Sequence, residues 1–127
     1  MDDFFYRKLK VYHLSKQMVA DVYSLSKQFP PQENFGIISQ LQRAAVSVPS
    51  NIAEGMGRLS DKERLHFIDI AIGSLHEVMC QLEIAELLGY ITQDQLSDME
   101  KSIRQILMML IGLRNTIDKK IKSKQQG

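Results

Sequence analysis

Two short patterns in the 127-residue chain carry side chains able to do chemistry. Glu63-Arg64-Leu65-His66 is a Glu-x-x-His step, half of the signature by which helical bundles hold paired metal ions, which needs a second copy and two further inward carboxylates. His76 and Cys80, four residues apart with Glu77 between them, could give two ligands to one ion, two short of a closed tetrahedral site. Neither pattern is complete, and Glu63 has another use as a helix cap. Cys80 is the only cysteine, which excludes an internal disulfide and reads as a small buried hydrophobe. His13 has no partner in the sequence and reads as a surface residue. There is no glycine-rich phosphate loop, nucleophile elbow or paired zinc-ligand motif. The expectation is a protein that is not an enzyme, with no catalytic residues, no metal and no cofactor. A metal enzyme using His66, His76 or Cys80 ranks last among the readings.

The remaining polar signal is a stripe. At 100° per residue Arg43, Ser47, Ser50, Asn51, Glu54 and Arg58 share one side of a helix, opposite Leu41, Val48 and Ile52. A merely solvated side would be filled with Lys, Glu and Gln, yet between Phe35 and Met56 only Arg43 and Glu54 are charged. Such a helix is expected to be covered on more than one side. Small residues, Ala44, Ala45, Ser47, Ser50 and Ala53, would let neighbouring backbones approach, so a bulky residue at Ala45 or Ser50 is expected to break an assembly. Pro49 in the middle removes a hydrogen bond to the Ala45 carbonyl and is expected to bend the helix, at a cost of about 3 kcal/mol in an ordinary interior.

Four stretches of helical period position these residues. Val11, Leu14, Met18, Val22, Leu25 and Phe29 define a first helix over about 9–29, ended by Pro30 and Pro31. The second covers about 33–57; Asn34 as cap and Pro31 as first-turn proline both fit its start, and Gly55 and Gly57 loosen its end. Ser60-Asp61-Lys62-Glu63 is a capping box opening the third, over 61–88, which Gly89 stops with a left-handed cap. A weaker box, Thr92 to Gln95, opens the fourth, over 93–121, whose Leu96, Met99, Ile103, Ile106, Leu110, Leu113 and Ile117 repeat by three and four. With no alternating strand pattern, the fold expected is all-α: one domain over 1–127, an up-and-down antiparallel four-helix bundle with helix two kinked at Pro49. Helix three has a second apolar line, Phe67, Ala71, Val78, Ala85 and Leu88, which fits either a subunit contact or a wide stripe inside a thick bundle.

Composition sets the outer limits. With 44% hydrophobic and 24% charged residues the chain matches an ordinary soluble protein, and the start MDDFFYRKLK lacks the order of a secretion signal, so a cytoplasmic location without membrane contact is expected. The net charge of +1 does not mark a strongly basic nucleic-acid binder. The charge is segregated, however. Asp69 to Glu100 has seven acids and no Lys or Arg, while Arg114, Lys119, Lys120, Lys122 and Lys124 face only Asp118. That basic run, with a tail over 119–127, fits a helix end that complements its dipole or a set of phosphate contacts. Tyr6, Tyr12 and Tyr23 near Arg7, Lys8 and Lys10 are a weak stacking cue.

The run FPPQENFGIISQLQRAAVSVPSNIAEGMGRLS, followed by FIDIAIGSLHEVMCQLEIAELLGYI, resembles the four-helix-bundle family of 23S rRNA intervening-sequence proteins. The likeness covers nearly the whole chain, and the SVPSNIAEG and GSL-xE-xxxQL blocks carry it. It implies a small cytoplasmic bacterial bundle assembling as a homopentameric ring, and kinship to accessory proteins of diversity-generating retroelements, which bind nucleic acid and a reverse transcriptase. The family's signature positions fall here on Arg43, Ser47, Pro49, Asn51, Glu54, Gly55 and Arg58, and on Gly73, Ser74, Glu77 and Gln81. Copies of itself and RNA or a nucleic-acid-handling protein are thus the expected partners; an adaptor that binds protein alone is the alternative.

Overall fold

The second capping box, the weaker of the two in sequence, is the one that closes completely. Thr92 N–H donates to Gln95 Oε1 at 2.9 Å and Gln95 N–H to Thr92 Oγ1 at 3.1 Å. At the first box Glu63 N–H donates to Ser60 Oγ at 3.2 Å, while the Ser60 hydroxyl turns to the Glu63 carboxylate at 3.3 Å. Both start a helix where the pattern places one. The computed structural model describes residues 3–126. Among them are four α-helices, α1 (Lys10–Ser26), α2 (Ile37–Met56), α3 (Asp61–Leu87) and α4 (Gln93–Gln126), with 3-10 turns at Phe5–Lys8 and Pro31–Glu33, and no strand.

The helix ends differ from expectation for local reasons. α1 stops at Ser26 rather than Phe29, because Lys27, Gln28 and Phe29 donate to carbonyls three residues back and tighten the chain. Phe29 still reaches the core, 5.3 Å from the Tyr90 ring. Pro31 leads its own 3-10 turn, neither Pro31 nor Asn34 starts α2, and that helix begins four residues later than expected, after Gly36. α3 ends one residue early in a Schellman arrangement: Gly89 has φ +80°, Tyr90 N–H donates to Ala85 O and Gly89 N–H to Glu86 O, both at 2.9 Å. α4 continues to Gln126, so the residues expected as a tail are helix, residue 127 lying outside those described. α2 is continuous through Pro49.

One apolar core joins the helices. Met18 and Val22 of α1, Leu41, Val48 and Ile52 of α2, Ile68, Leu75 and Leu82 of α3, and Ile106 and Leu110 of α4 are all buried. The second apolar line of α3 divides: Ala71, Val78 and Ala85 are buried inside this single chain and Phe67 is half-buried, whereas Leu88 is exposed. The wide stripe is thus largely internal. Ala45 is also fully buried, with Pro49 beside it, so a bulky residue at Ala45 would overfill the bundle before it reached any neighbour. Ser50, which is exposed, keeps its place as a surface probe.

Two ion pairs hold the C-terminal part of α4 to the first turns of α3 in antiparallel register. Arg114 Nε donates to Asp69 Oδ1 at 2.8 Å, and Lys124 Nζ to Asp61 Oδ2 at 2.7 Å. Asp61, at the first turn of α3 and 8% exposed, also accepts from Arg64 at 2.8 Å. Lys124, and after it Arg64, holds the Asp61 carboxyl below its ordinary value of 3.8. A carboxylate whose folded pKa is depressed adds stability that is complete above the unfolded pKa and is lost as the pH falls through the folded one. The thermal midpoint of Asp61→Asn is therefore expected below that of the wild type at neutral pH, with the gap closing as the pH drops below 3.8. A gap that persists undiminished in acid would contradict the ion pair.

Candidate interaction face

α2 and α3 meet along one seam, in which Ser47, Gly55 and Ser74 take part. Ser47 Oγ and Ser74 Oγ share a hydrogen bond of 2.8 Å between the helices. Asn51 Nδ2 donates to the Ser47 carbonyl at 2.8 Å and to Ser47 Oγ at 2.9 Å, and a hydroxyl can accept this bond while it shares another with Ser74. One turn of α2 further on, Gly55 is buried in the helix rather than loosening it. A Cβ there would stand 2.8 Å from Phe67 Cβ and 3.4 Å from the Arg64 carbonyl oxygen, so only glycine permits this closeness. Arg58 then closes the end of the seam, 2.6 Å from Glu54 Oε1 and with its guanidinium 4.8 Å above the Phe67 ring.

Further along α3, Gln81 Nε2 donates to Glu77 Oε1 at 3.2 Å, and Gln81 Oε1 is buried with no hydrogen-bond partner. Gly73 lies exposed in mid-helix, and a Cβ there would meet nothing within 4 Å. Of the expected stripe, Arg43, Ser50 and Glu54 are exposed, Ser47, Asn51 and Arg58 half-buried, and Pro49 points into the bundle. Arg43 makes no ion pair among the described residues. The Gly55 and Phe67 contact was missed in sequence; a lone glycine among small residues on an apolar helix is the signal that could have found it.

The basic run does not form one free patch. Arg114 pairs with Asp69, Lys122 with Asp118 at 3.2 Å and Lys124 with Asp61. Only Lys119 and Lys120 of the five make no ion pair among the described residues. Tyr6 and Tyr12 pack edge to face with centroids 4.8 Å apart, and Lys16 lies 5.0 Å from the Tyr12 ring. Tyr23 is exposed.

The chemical candidates are dispersed. Glu63 binds Ser60, and His66 is exposed beside Phe67, with centroids 5.5 Å apart. His76 Nδ1–H donates to the Ile72 carbonyl at 2.9 Å. His13 Nε2 lies 2.6 Å from the Arg7 carbonyl, a partner not visible in the sequence. Cys80 is exposed rather than buried. Among the described residues no group of three or more His, Cys, Asp or Glu could hold a metal ion, and no helix is long and apolar enough to cross a membrane.

Four packed helices with a hydrogen-bonded α2 and α3 seam define a four-helix-bundle protein. The family model for the 23S rRNA-intervening sequence protein matches residues 7–112, and the chain belongs to that family. It is similar in fold to the crystal structure of a protein of unknown function from the S23 ribosomal protein family of Bacteroides thetaiotaomicron, at TM-score 0.76 and 24% identity, over 82% of this chain and 97% of that one. No curated protein matches the chain.

Proposed function

We propose that this protein is a non-catalytic helical scaffold that assembles with copies of itself through the outer face of α2 and α3, and that the assembled form carries RNA or another polyanion. The observation that supports it best is the outer face of α2. Its exposed residues include Val46 and Ser50, with Phe35 exposed just ahead of the helix, where a helix finishing at solvent would carry Lys and Glu. Pro49, unable to donate to the Ala45 carbonyl, bends α2 and aims this face at a neighbour. A homopentameric ring is the form the family resemblance implies.

The antiparallel packing brings residues 3–10, 54–64 and 118–126 to one end, where ten Lys and Arg face five Asp and Glu. That end is the seat for phosphates. A protein adaptor without nucleic acid is the second reading, favoured by the pairing of Arg114, Lys122 and Lys124 with acids of their own chain.

Light scattering on the protein mixed with labelled structured RNA separates the readings. RNA should travel with an oligomer at physiological salt, and Lys119→Gln with Lys120→Gln should weaken its retention and flatten the salt dependence without changing the protein mass. Failure to retain RNA even at low salt would leave the adaptor reading.

A further inference from the structure

On α3, Ile70, Gly73, Glu77, Cys80, Ile84 and Leu87 repeat by three and four on a side turned away from the core. Ile70 is 37%, Ile84 41% and Leu87 81% exposed. A regular seam of this kind is what a helix presents to another helix. Val46, Ser50 and Ala53 of α2 and Gly57, which caps its end, repeat with the same spacing; all but Val46 are small, and all but the half-buried Ala53 are exposed. The first line offers knobs and the second offers shallow holes. We propose that the α3 line of one copy packs into the α2 line of the next, a head-to-tail contact. This inference rests on the self-assembly proposed above and adds which faces meet.

Three further observations favour a second copy as the occupant. Glu77, the only charge within the α3 line, is exposed and makes no ion pair among the described residues, accepting one hydrogen bond from the Gln81 amide. Arg43, beside the α2 line, is exposed and without an ion pair among the described residues. The two opposite charges therefore complement each other across a contact between copies. Gly73 is also accounted for: nothing inside the protomer needs a glycine there, which in a helix interior is less favourable than alanine, but a close helix crossing does. Unlike faces make the contact heterologous, so it closes into a ring or runs on as a filament, whereas α3 against α3 would stop at a dimer.

Cys80 is a native probe, since it lies on the α3 line and is the only cysteine. Treated with a short bismaleimide, Ser50→Cys should give a ladder of covalent oligomers through Cys80, while the wild type stays monomeric on a denaturing gel. Arg43→Glu and Glu77→Arg should each weaken assembly by about tenfold or more, and the double variant should recover it, as like charges are replaced by a matched pair. Wild-type dimers through Cys80 would overturn the head-to-tail arrangement. An intact oligomer that neither cross-links nor responds to Ile84→Arg would overturn these faces while leaving self-assembly standing. A monomer throughout would remove both.

Discussion

Gly55→Val should lower the thermal midpoint on the order of 8 °C, about 2 kcal/mol for a chain of this size, while Gly112→Ala should raise it slightly. The two glycines sit in helices but in opposite surroundings. At Gly55 the first added carbon would lie 2.8 Å from Phe67 Cβ, closer than carbon atoms tolerate, and the branched Val adds two more. Phe67 cannot simply swing aside, because its ring lies under Arg58 and its Cβ is fixed by the backbone. α2 and α3 must therefore separate, which would also stretch the 2.8 Å bond between Ser47 and Ser74. The gain in helix propensity over glycine, about 0.5 kcal/mol, is too small to offset this. At Gly112 nothing lies within 4 Å, so alanine brings only its propensity, about 1 kcal/mol. Melts followed by circular dichroism at equal protein concentration give both numbers. A Gly55→Val protein as stable as the wild type would mean that the helices do not pack this closely.

Leu82→Ala should have the larger effect, roughly 3 to 4 kcal/mol by denaturant unfolding. Leu82 is fully buried in the core. Its loss removes transfer energy and leaves a cavity that four packed helices cannot readily collapse into. Since an ordinary domain is stable by only about 5–15 kcal/mol, this single change takes a large part of the total. Met108→Ala, 63% exposed on α4, should stay within about 0.5 kcal/mol. Equal effects at the two positions would contradict the placement of the core.

The periodic positions carried most of the fold. Leu41, Val48 and Ile52, or Ile103, Ile106 and Leu110, are spaced as a buried face must be, and they are buried. Helix starts at Ser60 and Thr92 were legible because a cap is a local bond between residues three apart. The start of α2 was not, since Pro31 and Asn34 both fit the local rules and the choice fell to the turn at Gly36. Contacts between distant segments were the least legible. Nothing local ties Lys124 to Asp61, sixty-three residues away, so the basic run fitted a helix end or phosphate contacts and its pairing with α3 was not legible. The stripe on α2 was legible as residues sharing one helix side, and on it Arg43, Ser50 and Glu54 are exposed while Ser47 and Asn51 are half-buried. Its partners within the chain, Ser74 for Ser47 and Phe67 for Gly55, needed the register of two antiparallel helices to be known first.

The central claim, that the outer face of α2 and α3 is covered by another copy, is tested most directly by the native mass in solution. A single species several times the 14.6 kDa chain mass is expected, five times for the ring that the family resemblance implies, falling toward one chain in Ser50→Trp while the helical signal is kept. A wild-type protein that remains at 14.6 kDa over a wide range of concentrations would contradict it.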